Sequence, residues 1–132
     1  MGTFFKVILA FISAIFLFSA CANNTSIKGK EFQLINAPDN AEITIGFLSN
    51  EPRFAGKAAV NRYFGLYIIN GNEVTLSQIG STMMMGPEKL MKAETDYLQS
   101  LGTVKTFNFD GKKLILTGSK TLEFKEIGEV KE

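Results

Sequence analysis

Asn70-Gly71-Asn72 and Asp110-Gly111 each sit between two short segments rich in β-branched and aromatic residues, and this arrangement restricts the fold more than any other feature. Asn-Gly and Asp-Gly reach positive φ at little steric cost, so they join antiparallel strands through tight hairpins. Residues 66–69 with 73–76 predict one hairpin, and 104–109 with 113–116 predict a second. Residues 30–35 alternate, with Phe32 and Leu34 on one face and Glu31 and Gln33 on the other. Residues 42–48, 58–60 and 121–125 read as further short strands, separated by loops at 36–40 and 50–53. Roughly eight strands at short spacing predict a mainly β fold, a small barrel or half-barrel.

One helix interrupts the series. Pro87 suits a first helical position, Glu88 favours the positive N-terminal end, and Gly102 suits the stop. At about 100° per residue, Leu90, Met91, Tyr97, Leu98 and Leu101 share one face, opposite Lys92, Asp96 and Gln99. The stripe predicts packing against the mouth or side of the barrel. Glu94 lies in the middle of it, where a charge is desolvated unless it is paired or hydrogen-bonded.

The folded part begins after an apolar leader. Lys6 supplies a positive n-region, residues 7–18 are almost unbroken apolar sequence, and Ser19-Ala20 precede Cys21. The stretch falls short of the about 20 apolar residues a spanning helix needs. Phe18-Ser19-Ala20-Cys21 resembles a bacterial lipobox, although Phe18 stands where Leu is usual. That resemblance predicts a cleaved signal at 1–20 and lipidation of Cys21 in a tether at 21–29. A domain at 30–127 and a tail at 128–132 follow. Cys21 is the only cysteine, so no disulfide framework is available. Ala22 rather than Asp after it resembles the sorting pattern of outer-membrane lipoproteins. The membrane is therefore expected as a partner through the N-terminal lipid, with the domain facing the periplasm.

Composition narrows the chemistry. Without the leader about 110 residues remain, enough for one small domain. The chain has no histidine, which removes the commonest general base and metal ligand together. A net charge of +1, carried by no basic stripe, argues against nucleic acid. No nucleotide loop or calcium loop is present. The expectation is a non-enzyme with no catalytic residues, no metal and no cofactor. Met83-Met84-Met85 would suit soft metal, but consecutive strand residues point to opposite faces, so core filling and a loop-exposed side chain are preferred.

Residues 59–67, Ala-Val-Asn-Arg-Tyr-Phe-Gly-Leu-Tyr, resemble a strand-and-turn motif of the META domain, found in HslJ-type heat-inducible lipoproteins. A second block at 79–87, then Glu94 and Tyr97-Leu98, is similar as well, as are the closing segments 114–116 and 122–124. The resemblance spans roughly residues 27–127. It implies a β-rich fold with a helix, an envelope location and a link to stress tolerance, with no established catalysis. Many members carry cysteines where Val60 and Gly86 stand here, so a role for those cysteines does not transfer.

The candidate structural or binding residues are Asn61, Arg62, Tyr63, Gly65, Thr82 and Glu94. Residues 61–65 are read as a turn, where binding groups often sit. Asn61 would shape it, Gly65 would allow a bulge, Arg62 would clamp an anion, and Tyr63 or Phe64 would stack or fill the core. Glu94 is expected to be tied to Arg62, Thr82, a tyrosine hydroxyl or loop amides. The leading functional expectation is support of envelope integrity through an envelope protein or ligand. A small-ligand carrier using the barrel interior, and an inhibitor of an envelope hydrolase probing with the Arg62 turn, are the alternatives.

Overall fold

The computed structural model describes residues 26–131; the leader and Cys21 lie outside the described residues. Eight antiparallel strands close into a barrel in simple up-and-down order. They are β1 (Lys30–Leu34), β2 (Thr44–Phe47), β3 (Arg53–Ala58), β4 (Asn61–Asn70), β5 (Glu73–Ser81), β6 (Thr106–Phe109), β7 (Lys113–Thr117) and β8 (Thr121–Glu129). One helix, α1 (Glu88–Leu101), lies between β5 and β6, and a short 3-10 turn, Pro38–Asn40, follows β1. The ring closes through β1 and β8, where Leu34 pairs with Phe124. The fold is thus a full barrel rather than a half-barrel. Closure is narrowest between β5 and β6, which share one register pair, Glu73 with Thr106.

The period-two pattern places the core. Phe32, Ile45, Phe47, Phe54, Tyr63, Tyr67, Phe109, Leu114, Leu116 and Phe124 point inward and are buried. Their rings meet edge-on or tilted in a continuous run, from Phe109 through Phe32, Phe47 and Phe54 to Tyr63, Tyr97 and Phe124. Such contacts add about 0.5–1.5 kcal/mol per pair beyond area burial. The interior is therefore packed side chain.

The two hairpins form where the glycines predict them. Gly71 and Gly111 both have positive φ, and Asn70 pairs with Glu73 across the first turn. In the second turn Asp110 Oδ1 accepts from the Lys112 and Lys113 amides at 2.9 and 2.8 Å. These bonds hold the exposed carboxylate below its usual pKa.

Other boundaries differ from the sequence pattern. The strand expected at 58–60 is instead β3, ending at Ala58, and Ala59-Val60 are the turn. Val60 N–H donates back to Ala58 O at 2.7 Å across Ala59, whose φ is 64°. An i to i+2 bond around a positive φ is the strained γ-turn, which alanine adopts only when its surroundings hold it. Residues 61–65 are not a turn; they open β4. Pro87 is the N-cap of α1 rather than its first residue, and Gly102 is the C-cap.

The strands define two poles. The described chain enters at one, beside the 49–52, 71–72 and 110–112 turns; there Gly29 N–H bonds Phe47 O and Val130 N–H bonds Gly29 O. α1 covers the other, burying Ala93, Glu94, Tyr97, Ser100 and Leu101.

Candidate functional site

At the helix pole a buried polar cluster joins the γ-turn, the loop after β5 and α1. Asn61 continues the inward phase of β4, and the two-residue turn before it points its amide at α1. Glu94, 5 % exposed, faces it. Its Oε1 accepts from Val60 N–H at 3.1 Å and Asn61 N–H at 2.7 Å, and its Oε2 accepts from Asn61 Nδ2 at 2.7 Å. Nδ2 also donates to Met84 O at 3.0 Å. Asn61 Oδ1 accepts from Thr82 Oγ1 at 2.9 Å and Met84 N–H at 2.6 Å. Asn61 thus fills all four of its side-chain hydrogen-bonding positions.

Of the six candidate residues, Asn61, Thr82 and Glu94 meet in this cluster. Glu94 is bound by turn amides and by the Asn61 side chain, which the sequence did not suggest as its partner. Arg62 is not a partner: it projects outward from β4 and is exposed, while its amide bonds Thr82 Oγ1 at 3.2 Å. Gly65 faces a bulge, since Phe64 pairs with Gly80 but Leu66 with Ser77, and the extra β5 residue Gln78 has φ 51°. A Cβ on Gly65 would lie 2.4 Å from the Phe54 ring, so only glycine fits there.

Tyr63 belongs to a second polar link. Its hydroxyl donates to Thr44 O at 2.6 Å and stands 2.6 Å from the Tyr97 hydroxyl. A phenol has one proton, so with that proton on Thr44 O, Tyr97 is the donor to Tyr63. Burial pushes both pKa values above the ordinary tyrosine value, and for Tyr63 the neighbouring Tyr97 raises it further. Both hydroxyls stay protonated and tie α1 to the barrel.

The cluster is built to hold rather than to react. Three N–H donors occupy the Glu94 carboxylate. Among the described residues no three His, Cys, Asp or Glu side chains gather as a metal site. The clefts at the barrel surface are open; the one between α1 and the 34–38 and 120–123 segments measures about 400 Å³.

Val60 and Gly86 are neighbours. An ideal Cβ on Gly86 would stand 3.4 Å from Val60 Cβ, close to the spacing of a disulfide. The positions where family resemblance implies cysteines are therefore adjacent in space here, beside the Asn61 cluster.

The META domain family model matches residues 23–129. Among solved structures, the NMR structure of a protein from Burkholderia xenovorans is similar at 18 % identity and a TM-score of 0.66. That match covers 76 % of this chain and 83 % of the other. The crystal structure of a DUF4847 family protein from Bacteroides vulgatus is similar at 10 % identity, TM-score 0.57, covering 79 % and 96 %. No curated protein matches the chain. At these identities the solved structures support the fold.

Proposed function

The chain belongs to the META domain family, and from that premise we propose a non-enzymatic, lipid-anchored envelope protein that presents the outside of its barrel to another envelope protein. The leader ending in Cys21 supports the anchor, since two or more acyl chains hold stably where one does not. Ala22 supports placement in the outer membrane, facing the periplasm. Support of envelope integrity under stress is the role this combination fits.

One observation carries the reading. The outward positions of β4 run Arg62, Phe64, Leu66, Ile68, and Phe64 and Ile68 remain 46 % and 65 % exposed. Outward positions on the adjacent β3 carry charge at Arg53 and Lys57, as do those across the barrel on β7 and β8 at Lys113, Glu123 and Lys125. Phe64 leans over Gly80 and Leu66 is half-buried, yet much of this Phe–Leu–Ile stripe stays in solvent, where folding gains nothing from it. An arginine beside an aromatic ring is the composition of interface anchors. The carrier alternative is opposed by the packed interior. The inhibitor alternative loses its protruding probe, because Arg62 lies in a strand.

Two experiments test it. Cys21→Ser should abolish labelling by a palmitate analogue, and label retained on the variant would refute the anchor. A photo-crosslinking residue at position 64 should capture a defined envelope protein in intact cells, whereas one at 125 should not. Equal crosslinking from both positions would refute the stripe as the contact surface.

A further inference from the structure

Apart from Met1, every methionine of the chain lies within residues 83–91. Core filling, the ordinary use of methionine, does not explain them, because Met83, Met84 and Met85 are 90 %, 63 % and 87 % exposed. Nor do they diverge as strand residues would. β5 ends at Ser81, and 82–87 follow without regular structure. Met83, Met84, Met85 and Met91 all line one hollow of about 300 Å³ between this loop and α1.

The loop is held in place. Asn61 bonds both the N–H and the C=O of Met84, and Thr82 N–H bonds Arg62 O at 3.0 Å. The backbone that carries Met83 to Met85 is therefore fastened to β4, and their unbranched side chains are long enough to reach over the hollow they line. The one carboxylate lining it near the loop, Glu94, already accepts three N–H bonds. That leaves the thioethers as the soft ligands on offer, beside the neutral oxygens of Ser81, Thr95 and Gln99.

We infer that Met83, Met84, Met85 and Met91 form a binding site for a soft monovalent cation, Cu(I) or Ag(I). Thioether sulfur selects such ions, and a donor set without free imidazole, thiolate or carboxylate gives Zn²⁺, Mg²⁺ and Ca²⁺ little to bind. The site lies at the pole opposite the one where the chain enters, so it would face away from a lipid anchor at Cys21. It goes beyond the proposed β4 contact and does not depend on it.

The test uses the full chain in detergent, with Ag(I) as a redox-silent probe and excess free methionine as competitor. Methionine methyl NMR reads the outcome. In a gathered site the methyl signals of residues 83, 84, 85 and 91 shift together and stay shifted in the presence of the competitor. Zn²⁺ leaves them unmoved. Replacing Met83, Met84 and Met85 together by Leu should release the silver that wild type retains; Cys21 is common to both chains and cancels. If free methionine returns the wild-type signals to their unbound positions, the thioethers act singly and the site is refuted. If the triple variant retains as much silver as wild type, the site is refuted as well. The wild-type readout stands even if the variant misfolds.

Discussion

Deleting the Glu94 carboxylate would strand Asn61 N–H and one Nδ2 proton in a buried setting and loosen Val60 N–H, which keeps only its bond to Ala58 O. Unsatisfied buried donors cost about 1–3 kcal/mol each, so Glu94→Ala should lose about 2–4 kcal/mol in a denaturant melt. Glu94→Gln should lose less but not nothing. The Gln amide can serve one oxygen position, yet its NH₂ would face Asn61 Nδ2, donor against donor. Asn61 cannot turn over to relieve this, because Thr82 and Met84 N–H need its oxygen where it is. A Glu94→Ala protein as stable as the parent would overturn the structural role. The buried tyrosines give a pH dependence of definite sign. Their folded pKa values are raised, so their stabilisation is complete below the unfolded value of about 10 and is lost as pH rises toward the folded values. Tyrosinate absorbance followed during alkaline titration should show ionisation of Tyr63 and Tyr97 coinciding with unfolding. Ionisation near the ordinary value with the fold intact would contradict the burial argument.

Among the elements, those built on hydrophobic period and glycine turns were legible in the sequence, and those fixed by tertiary bonds were not. Alternation of Phe32 and Leu34 with polar residues marked β1, and Pro87 with Gly102 bracketed α1 within a residue. The γ-turn at Ala59 was invisible because alanine carries no turn signal; surrounding bonds hold its φ positive. Asn61 and Gly65 are poor strand formers, so the start of β4 read as a turn. The Glu94 cluster and the Phe54 ring packed over Gly65 override that propensity. Glu94 itself was found by its misplacement in an apolar stripe. Asn61's partners at Met84 are backbone groups, which leave no trace in side-chain pattern. The contact of Val60 with Gly86 makes a prediction at this scale. Val60→Cys with Gly86→Cys should form a disulfide under oxidising conditions, closing the loop that contains β4, β5 and Met83 to Met85. It should add about 2–4 kcal/mol, read as a reductant-sensitive rise in melting temperature. Free thiols persisting after oxidation would show that the turn and the loop are not in contact.

At the scale of the whole molecule, polarity runs opposite to that of a membrane-spanning barrel, which carries an apolar outer band and a polar lumen. Here the lumen is aromatic and aliphatic, and charges dominate most of the outside. No helix among the described residues is long and apolar enough to cross a membrane. The chain enters at one pole, while α1, the Asn61 cluster and the methionine loop crown the other. The β4 stripe lies along the flank between them. This arrangement suits a body held at one end and recognised along its side. Its central claim is that the barrel works from its exterior, with the interior filled by its own side chains. Native mass spectrometry of the protein extracted from envelopes in mild detergent tests this most directly. The expected result is a chain that carries no organic ligand in its native state, whether or not a partner protein or a metal ion at the methionines is retained. A small molecule retained in the native state and released on unfolding would contradict it.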